Sequence, residues 1–88
     1  MMKIKQGFLL RSVGQEQVVI ALGPAAHLLN GLIKLNDSGV LLWNLLVQGA
    51  EEETLVSALQ DRYGITAEQA VKDVSAFVEV IRGVGCLE

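Results

Sequence analysis

The apolar positions along this chain fall into short strand-like runs first and helical stripes afterwards. Residues 7–13, GFLLRSV, and 16–22, EQVVIAL, are crowded with Val, Leu, Ile and Phe and are separated by Gly14-Gln15, so they read as a hairpin whose first strand covers 8–13. Gly23-Pro24 interrupts the second strand, because proline donates no ladder hydrogen bond, and 25–29 is open between a loop and a continuation of strand. Asn30-Gly31 signals a turn, after which 32–35 forms a brief third strand. From 40 to 47 only Asn44 is polar. At ~100° per residue the apolar side chains then point almost all the way round a helix, leaving a narrow stripe of Asp37, Asn44 and Gln48. Such a helix belongs at the centre of the domain, with Trp43 in its core. Asn36 caps its free amides, Asp37 sits at the positive end of its dipole, and Gly49 stops it.

The second helix covers 52–63. Leu55, Val56, Leu59 and Tyr63 share one face, and Glu53, Ser57, Gln60 and Asp61 fill the other, which makes it amphipathic and peripheral. Glu51, Glu52 and Glu53 crowd its start, as helix-dipole electrostatics favour, and Gly64 ends it. A third helix over 67–82 is announced by Thr66 as cap, Gln69 as its capping-box partner and Ile65 stapling onto Ala70. Ala67, Ala70, Val71, Val74, Phe77, Val78 and Ile81 make its apolar stripe, and Gly83 and Gly85 terminate it. Ala76 and Val80 widen that stripe on the side of Asp73 and Phe77, so either something covers them or they are exposed. Three strands followed by three helices make an α+β domain: a three-stranded antiparallel sheet followed by a three-helix bundle, like a winged helix-turn-helix.

Length makes this a single domain over 1–88, close to the size at which one core gives marginal stability. Its hydrophobic content of 51% and mean hydropathy of +0.42 imply either a fully packed core or a surface left apolar for a partner. No apolar run is long enough to span a bilayer, and MMKIKQG lacks the core of a signal peptide, so a cytoplasmic protein with no membrane association is expected. The net charge of −3 hides an asymmetry: residues 1–34 carry Lys3, Lys5, Arg11 and Lys34 against Glu16, whereas residues 51–82 carry seven acids against Arg62, Lys72 and Arg82. A third helix exposing Glu68, Asp73 and Glu79 is a poor surface for phosphates, so nucleic-acid binding is not expected.

Candidate chemistry is sparse. One cysteine, Cys86, and one histidine, His27, exclude an internal disulfide and leave no ligand set for a metal. Cys86 has no base near it in sequence and reads as a small hydrophobe closing the C-terminal end; His27 reads as an ordinary loop histidine. Ser12, Ser38, Ser57 and Ser75 lack an elbow or triad context. Neither an enzyme nor a cofactor is expected.

What the residues do carry is a likeness. Leu10-Arg11, the Leu35-Asn36 step, Gly39 and Trp43 in the following helix, and Leu46 with Gly49 at its end form one part of the pattern. Leu59 and Tyr63, Asp73 and Phe77, and the closing Gly85-Cys86-Leu87 complete it. With these the chain resembles, from 7 to 87, the PqqD family of precursor-peptide recognition elements, which serve the biosynthesis of ribosomally made, post-translationally modified peptides. It departs from the family in two places: the Gly23-Pro24 break and the apolar segment 25–29 are longer than a minimal hairpin connection, and Glu51 replaces the usual Thr or Ser before the second helix. The resemblance implies a non-enzymatic module that captures a leader peptide as an extra strand beside the third strand, in the cleft against the third helix. The module would then present the precursor to a separate modifying enzyme, such as a radical SAM enzyme or a leader peptidase. The implied peptide-binding residues are Leu32, Ile33, Lys34 and Leu35 on the strand, with Asp73, Ala76, Phe77 and Val80 on the helix; Lys34 would meet an acidic residue. The other flank, Val71, Ser75 and Val78, is the competing choice. The alternative functions are a winged-helix transcriptional regulator and a structural dimerisation domain in which two copies pair at the same strand edge.

Overall fold

A computed structural model describes residues 1–23 and 33–88. The strands β1 (Phe8–Val13), β2 (Glu16–Ala21) and β3 (Ile33–Leu35) form an antiparallel sheet in the order β1-β2-β3. Gly14 closes the β1–β2 hairpin with a φ of 63°, the conformation a two-residue hairpin loop asks of its first central residue. The expectations for 24–32, including His27, the Asn30-Gly31 turn and Leu32 as the first residue of the third strand, lie outside the described residues. Helices α1 (Asp37–Gln48), α2 (Glu52–Tyr63) and α3 (Ala67–Gly83) follow.

Alternation sorts the sheet. Phe8, Leu10, Val19, Ala21, Ile33 and Leu35 share the face that packs on the helices, and Trp43, Leu42, Leu46, Leu55, Leu59, Val74 and Ile81 meet them from the other side. Leu46, Leu55, Val19, Val74 and Ile81 are wholly excluded from water, and Trp43 nearly so. The central helix is apolar on a broad face rather than all round: Gly39, Leu42, Trp43 and Leu46 are buried, Leu41 and Leu45 are half-buried, and Val47 faces solvent.

Helix α3 buries less than its sequence stripe suggests. Ala70, Val74, Val78 and Ile81 are covered by the core and Phe77 is half-buried against it, but Ala67 and Val71 stand in solvent. Tyr63, assigned to the apolar face of α2, is exposed at its end and donates its hydroxyl to the Asp37 carboxylate. The capping box is half made. Thr66 Oγ1 accepts from the Gln69 N–H at 3.1 Å, yet the Gln69 side chain turns forward and donates to Asp73 Oδ1 at 2.8 Å, one turn along the helix.

The N-terminal residues form a clasp that local pattern did not foretell. Met2 and Ala50 exchange backbone hydrogen bonds at 2.9 and 2.8 Å, Ile4 donates to Leu46 at 3.0 Å, Lys5 donates to the Cys86 carbonyl at 2.7 Å, and Glu88 donates to Lys3 at 2.9 Å. The segment runs between the end of α1 and the C-terminal tail, with Ile4 buried in the core. Cys86 is fully buried beside it, as expected of a small hydrophobe. No helix among the described residues is long and apolar enough to cross a membrane.

Candidate functional site

The strand β3 is joined directly to α1, and this joint sets the site. Asn36 leaves the strand in extended conformation, and its Oδ1 accepts from the Gly39 N–H at 2.9 Å, so the chain turns into the helix without a linker. Gly39 matters for what it lacks. A Cβ there would stand 3.4 Å from the Phe77 ring and from Leu35 Cβ, and 3.1 Å from Asn36 Oδ1. Phe77 of α3 therefore rests against the start of α1 and beside Leu35.

Between β3 and α3 lies an open groove of about 1070 Å³. Six of the eight residues proposed from sequence line it: Ile33, Lys34 and Leu35 from the strand, and Ala76, Phe77 and Val80 from the helix. Ala76 and Val80 are exposed, which answers whether something covers them among the described residues. Leu32 lies outside the described residues. Asp73 is set apart from the groove, in a smaller hollow shared with Asn36, Asp37, Ser38, Tyr63 and Ile65, where its carboxylate is engaged by Gln69. On the competing flank Val78 is buried in the core, and Val71 faces α2 beside Glu52 and Val56, away from β3.

The charges are largely spoken for. Lys34 Nζ lies 3.2 Å from Glu16 Oε1 across the β2–β3 ladder, so the ammonium expected to await an acidic partner already has one. Asp37 accepts from Tyr63, and that hydrogen bond is the main reason the Tyr63 pKa is raised; desolvation and the Asp37 charge add to it, and Arg62 opposes it. Sequence reading missed the rims of the groove: Glu16 and Gln17 of β2, and Asp37, Gly39 and Val40 of α1. Gly39 was legible as a helix residue without a side chain, but the approach of Phe77 to it was not, because Phe77 sits on another helix. Among the described residues no group of three or more His, Cys, Asp or Glu side chains is placed to hold a metal ion.

A three-stranded antiparallel sheet leading into three helices, with an apolar groove along its third strand, defines an α+β domain of the winged helix-turn-helix kind. Over residues 16–87 the chain matches the PqqD family, coenzyme PQQ synthesis protein D, and it belongs to that family. Two solved structures share its fold. One is TbiB1 in complex with the TbiA(beta) leader peptide, 22% identical, covering 98% of this chain and 94% of that one with a TM-score of 0.78. The other is a lasso peptide synthetase B1 complexed with the leader peptide, 17% identical, covering 99% and 96% with a TM-score of 0.77. Among curated proteins no sequence match is found.

Proposed function

We propose that this chain is a cytoplasmic, non-catalytic peptide-binding module that takes the leader of a ribosomally made precursor as a fourth strand beside β3 and presents it to a separate modifying enzyme. The observation that carries the reading is an unpaired strand edge lying next to an apolar groove: among the described residues no strand pairs with the outer edge of β3, and Phe77, Ala76 and Val80 stand beside it. Strand addition needs backbone donors and acceptors for affinity and shallow side-chain sites for selectivity, and the groove offers both. Membership of the PqqD family supports the reading, as do the leader peptides bound to both proteins that share the fold. Holding a leader in this way raises the concentration of the rest of the precursor at the enzyme without any catalytic contact. The ionised groups at the groove are engaged with neighbours, and the Cys86 thiol is buried away from it, which suits binding better than chemistry.

The test compares the two flanks of α3 through two exposed valines, either of which can change without disturbing the core. Val80→Asp places a carboxylate in the groove and is expected to weaken binding of the precursor leader about tenfold or more, since an apolar contact is replaced by an unpaired charge. Val71→Asp, on the α2 side, is expected to leave the affinity within about twofold. Titration of both folded variants against the leader of the cognate precursor decides it. Equal affinities for wild type and both variants would move the site elsewhere. A dimer that dissociates as leader is added would show a second copy competing for the same edge.

A further inference from the structure

The two edges of the sheet are built differently. β3 has three residues, Lys34 among them, whereas β1 runs for six without a proline, a lysine or a bulge. Prolines, lysines and bulges are the usual protections of an exposed edge, and a long strand without them is a template for another strand. Among the described residues no strand pairs with the outer side of β1. The hairpin fixes which backbone groups that side offers. Val13 and Glu16 close a two-residue loop by exchanging both backbone hydrogen bonds, and bonded pairs alternate with non-bonded ones from there, so Arg11 with Val18 and Leu9 with Ile20 are bonded. Continuing the count predicts a bond between residues 7 and 22, and Leu22 N does donate to Gly7 O at 2.7 Å. Phe8, Leu10 and Ser12 therefore turn their N–H and C=O groups away from β2 and out of the sheet.

From this edge we infer that β1 pairs with β1 of a second copy, antiparallel about a twofold axis through Leu10, to make one continuous sheet in the order β3-β2-β1-β1-β2-β3. The strand FLLRSV is complementary to itself in that register. Leu10 meets Leu10 and Phe8 meets Ser12 of the other copy, so every outward backbone group finds a partner. Sliding by one bonded pair in either direction leaves outward groups unmatched in both copies, and one of those slides sets Arg11 against Arg11. Leu9, Arg11 and Val13 stand exposed on the face away from the helices, Val13 at 59%. The twofold places Leu9 of each copy directly opposite Arg11 of the other, where the arginine stem covers the leucine and the guanidinium reaches water. Among the described residues the ion pairs are Met1 with Glu51 and Lys34 with Glu16, so Arg11 surrenders no carboxylate to turn this way. A standard interface takes about 20–30 residues from each side. β1 brings six, which makes the dimer weak, with a Kd on the order of 100 μM. Both β3 edges stay free at the ends of the joined sheet, so dimerisation is independent of the peptide-binding reading.

The experiment is sedimentation equilibrium of the full chain from about 10 μM to about 1 mM, with a thermal melt of each variant to confirm that it is folded. The wild type should pass from monomer to dimer across that range. Leu9→Lys sets a second cation against Arg11 at both ends of the dimer and should raise the dimer Kd about tenfold or more, whereas Leu9→Glu, at the same exposed position, sets a carboxylate there and should hold it within about threefold. Ser12→Pro removes an outward N–H at an edge where proline is tolerated, and should also raise Kd about tenfold. A leader peptide added in excess should leave the dimer assembled. A chain that stays monomeric at about 1 mM overturns the inference, as does a dimer that the leader dissolves, since that dimer would be built on β3. Equal effects of Leu9→Lys and Leu9→Glu overturn the register, and with it the twofold through Leu10. A leader that fails to bind while the dimer behaves as expected overturns the peptide-binding reading alone.

Discussion

Cys86 is packed out of water with Ile81 and Leu87 close by in sequence and also in the core, and its neighbourhood sets its chemistry. Burial pushes the thiol pKa above its ordinary 9.0, with the Lys5 charge pulling weakly the other way. A thiol that resists ionisation when folded binds its proton more tightly than in the unfolded chain. Its contribution is therefore fully present below the unfolded pKa and is lost as pH rises toward the folded one. Stability of the wild type relative to Cys86→Ala is expected to be flat below pH 9.0 and to fall above it, with a slope approaching about 1.4 kcal/mol per pH unit. Urea titrations across that range check this, and parallel curves for the two proteins would show the thiol to be reachable by solvent. The hydrophobic role of Cys86 was legible from the absence of any base near it in sequence. The pairing of Lys34 was not, since Glu16 lies on another strand and only the β2–β3 register brings the two together.

Helix boundaries obey their caps, and two caps of similar geometry have different consequences. Asn36 and Thr66 each accept from the amide three residues on, at 2.9 and 3.1 Å, and replacing either by Ala should cost about 1 kcal/mol. Thr66 opens α3 far from the groove. Asn36 also fixes where β3 ends, so Asn36→Ala is expected to lower peptide affinity several-fold, and Thr66→Ala to lower stability alone. Denaturation midpoints and leader titrations on the two variants separate these effects; equal affinities would mean that β3 is held by the sheet without help from the cap. Helix α2 manages with less. Glu51 makes no side-chain cap, and the amides of Thr54 and Leu55 bond to its carbonyl while its carboxylate meets the Met1 ammonium at 3.2 Å. Both partners are exposed, so that ion pair contributes at most about 1 kcal/mol.

At the level of the whole molecule, charge distribution argues against the regulator that the winged shape invites. The chain carries a net −3, and α3, the helix a DNA-reading domain of this shape would use, exposes Glu68, Asp73 and Glu79 against Lys72 and Arg82. Too few cations converge to release counterions from a duplex. Fluorescence anisotropy with random duplex DNA at about 100 mM salt is expected to show no binding at micromolar protein. Saturable micromolar binding would restore the regulator. The charge that matters for the fold is instead spread thinly, and closure comes from backbone: the clasp of residues 1–5 joins the end of α1 to the tail after α3.

Sequence alone settles the elements, since each rests on neighbours within a few residues. A run of apolar, strand-favouring residues set β1, glycines set the hairpin and the ends of α1 and α2, and Asn36 and Thr66 set two helix starts within a residue of where they stand. It also determined that Trp43 would be buried, because a helix apolar on so broad a face has nowhere else to go. Which side of α3 would be covered was decided only in three dimensions: Val71 and Phe77 are equally apolar in sequence, but α2 and the core cover the side between them, and Phe77 comes to line the groove beside β3. The same holds for the N-terminal clasp and for the state of Lys34. A contact between residues tens of positions apart leaves no periodic trace in sequence, because nothing local depends on it until the chain has packed.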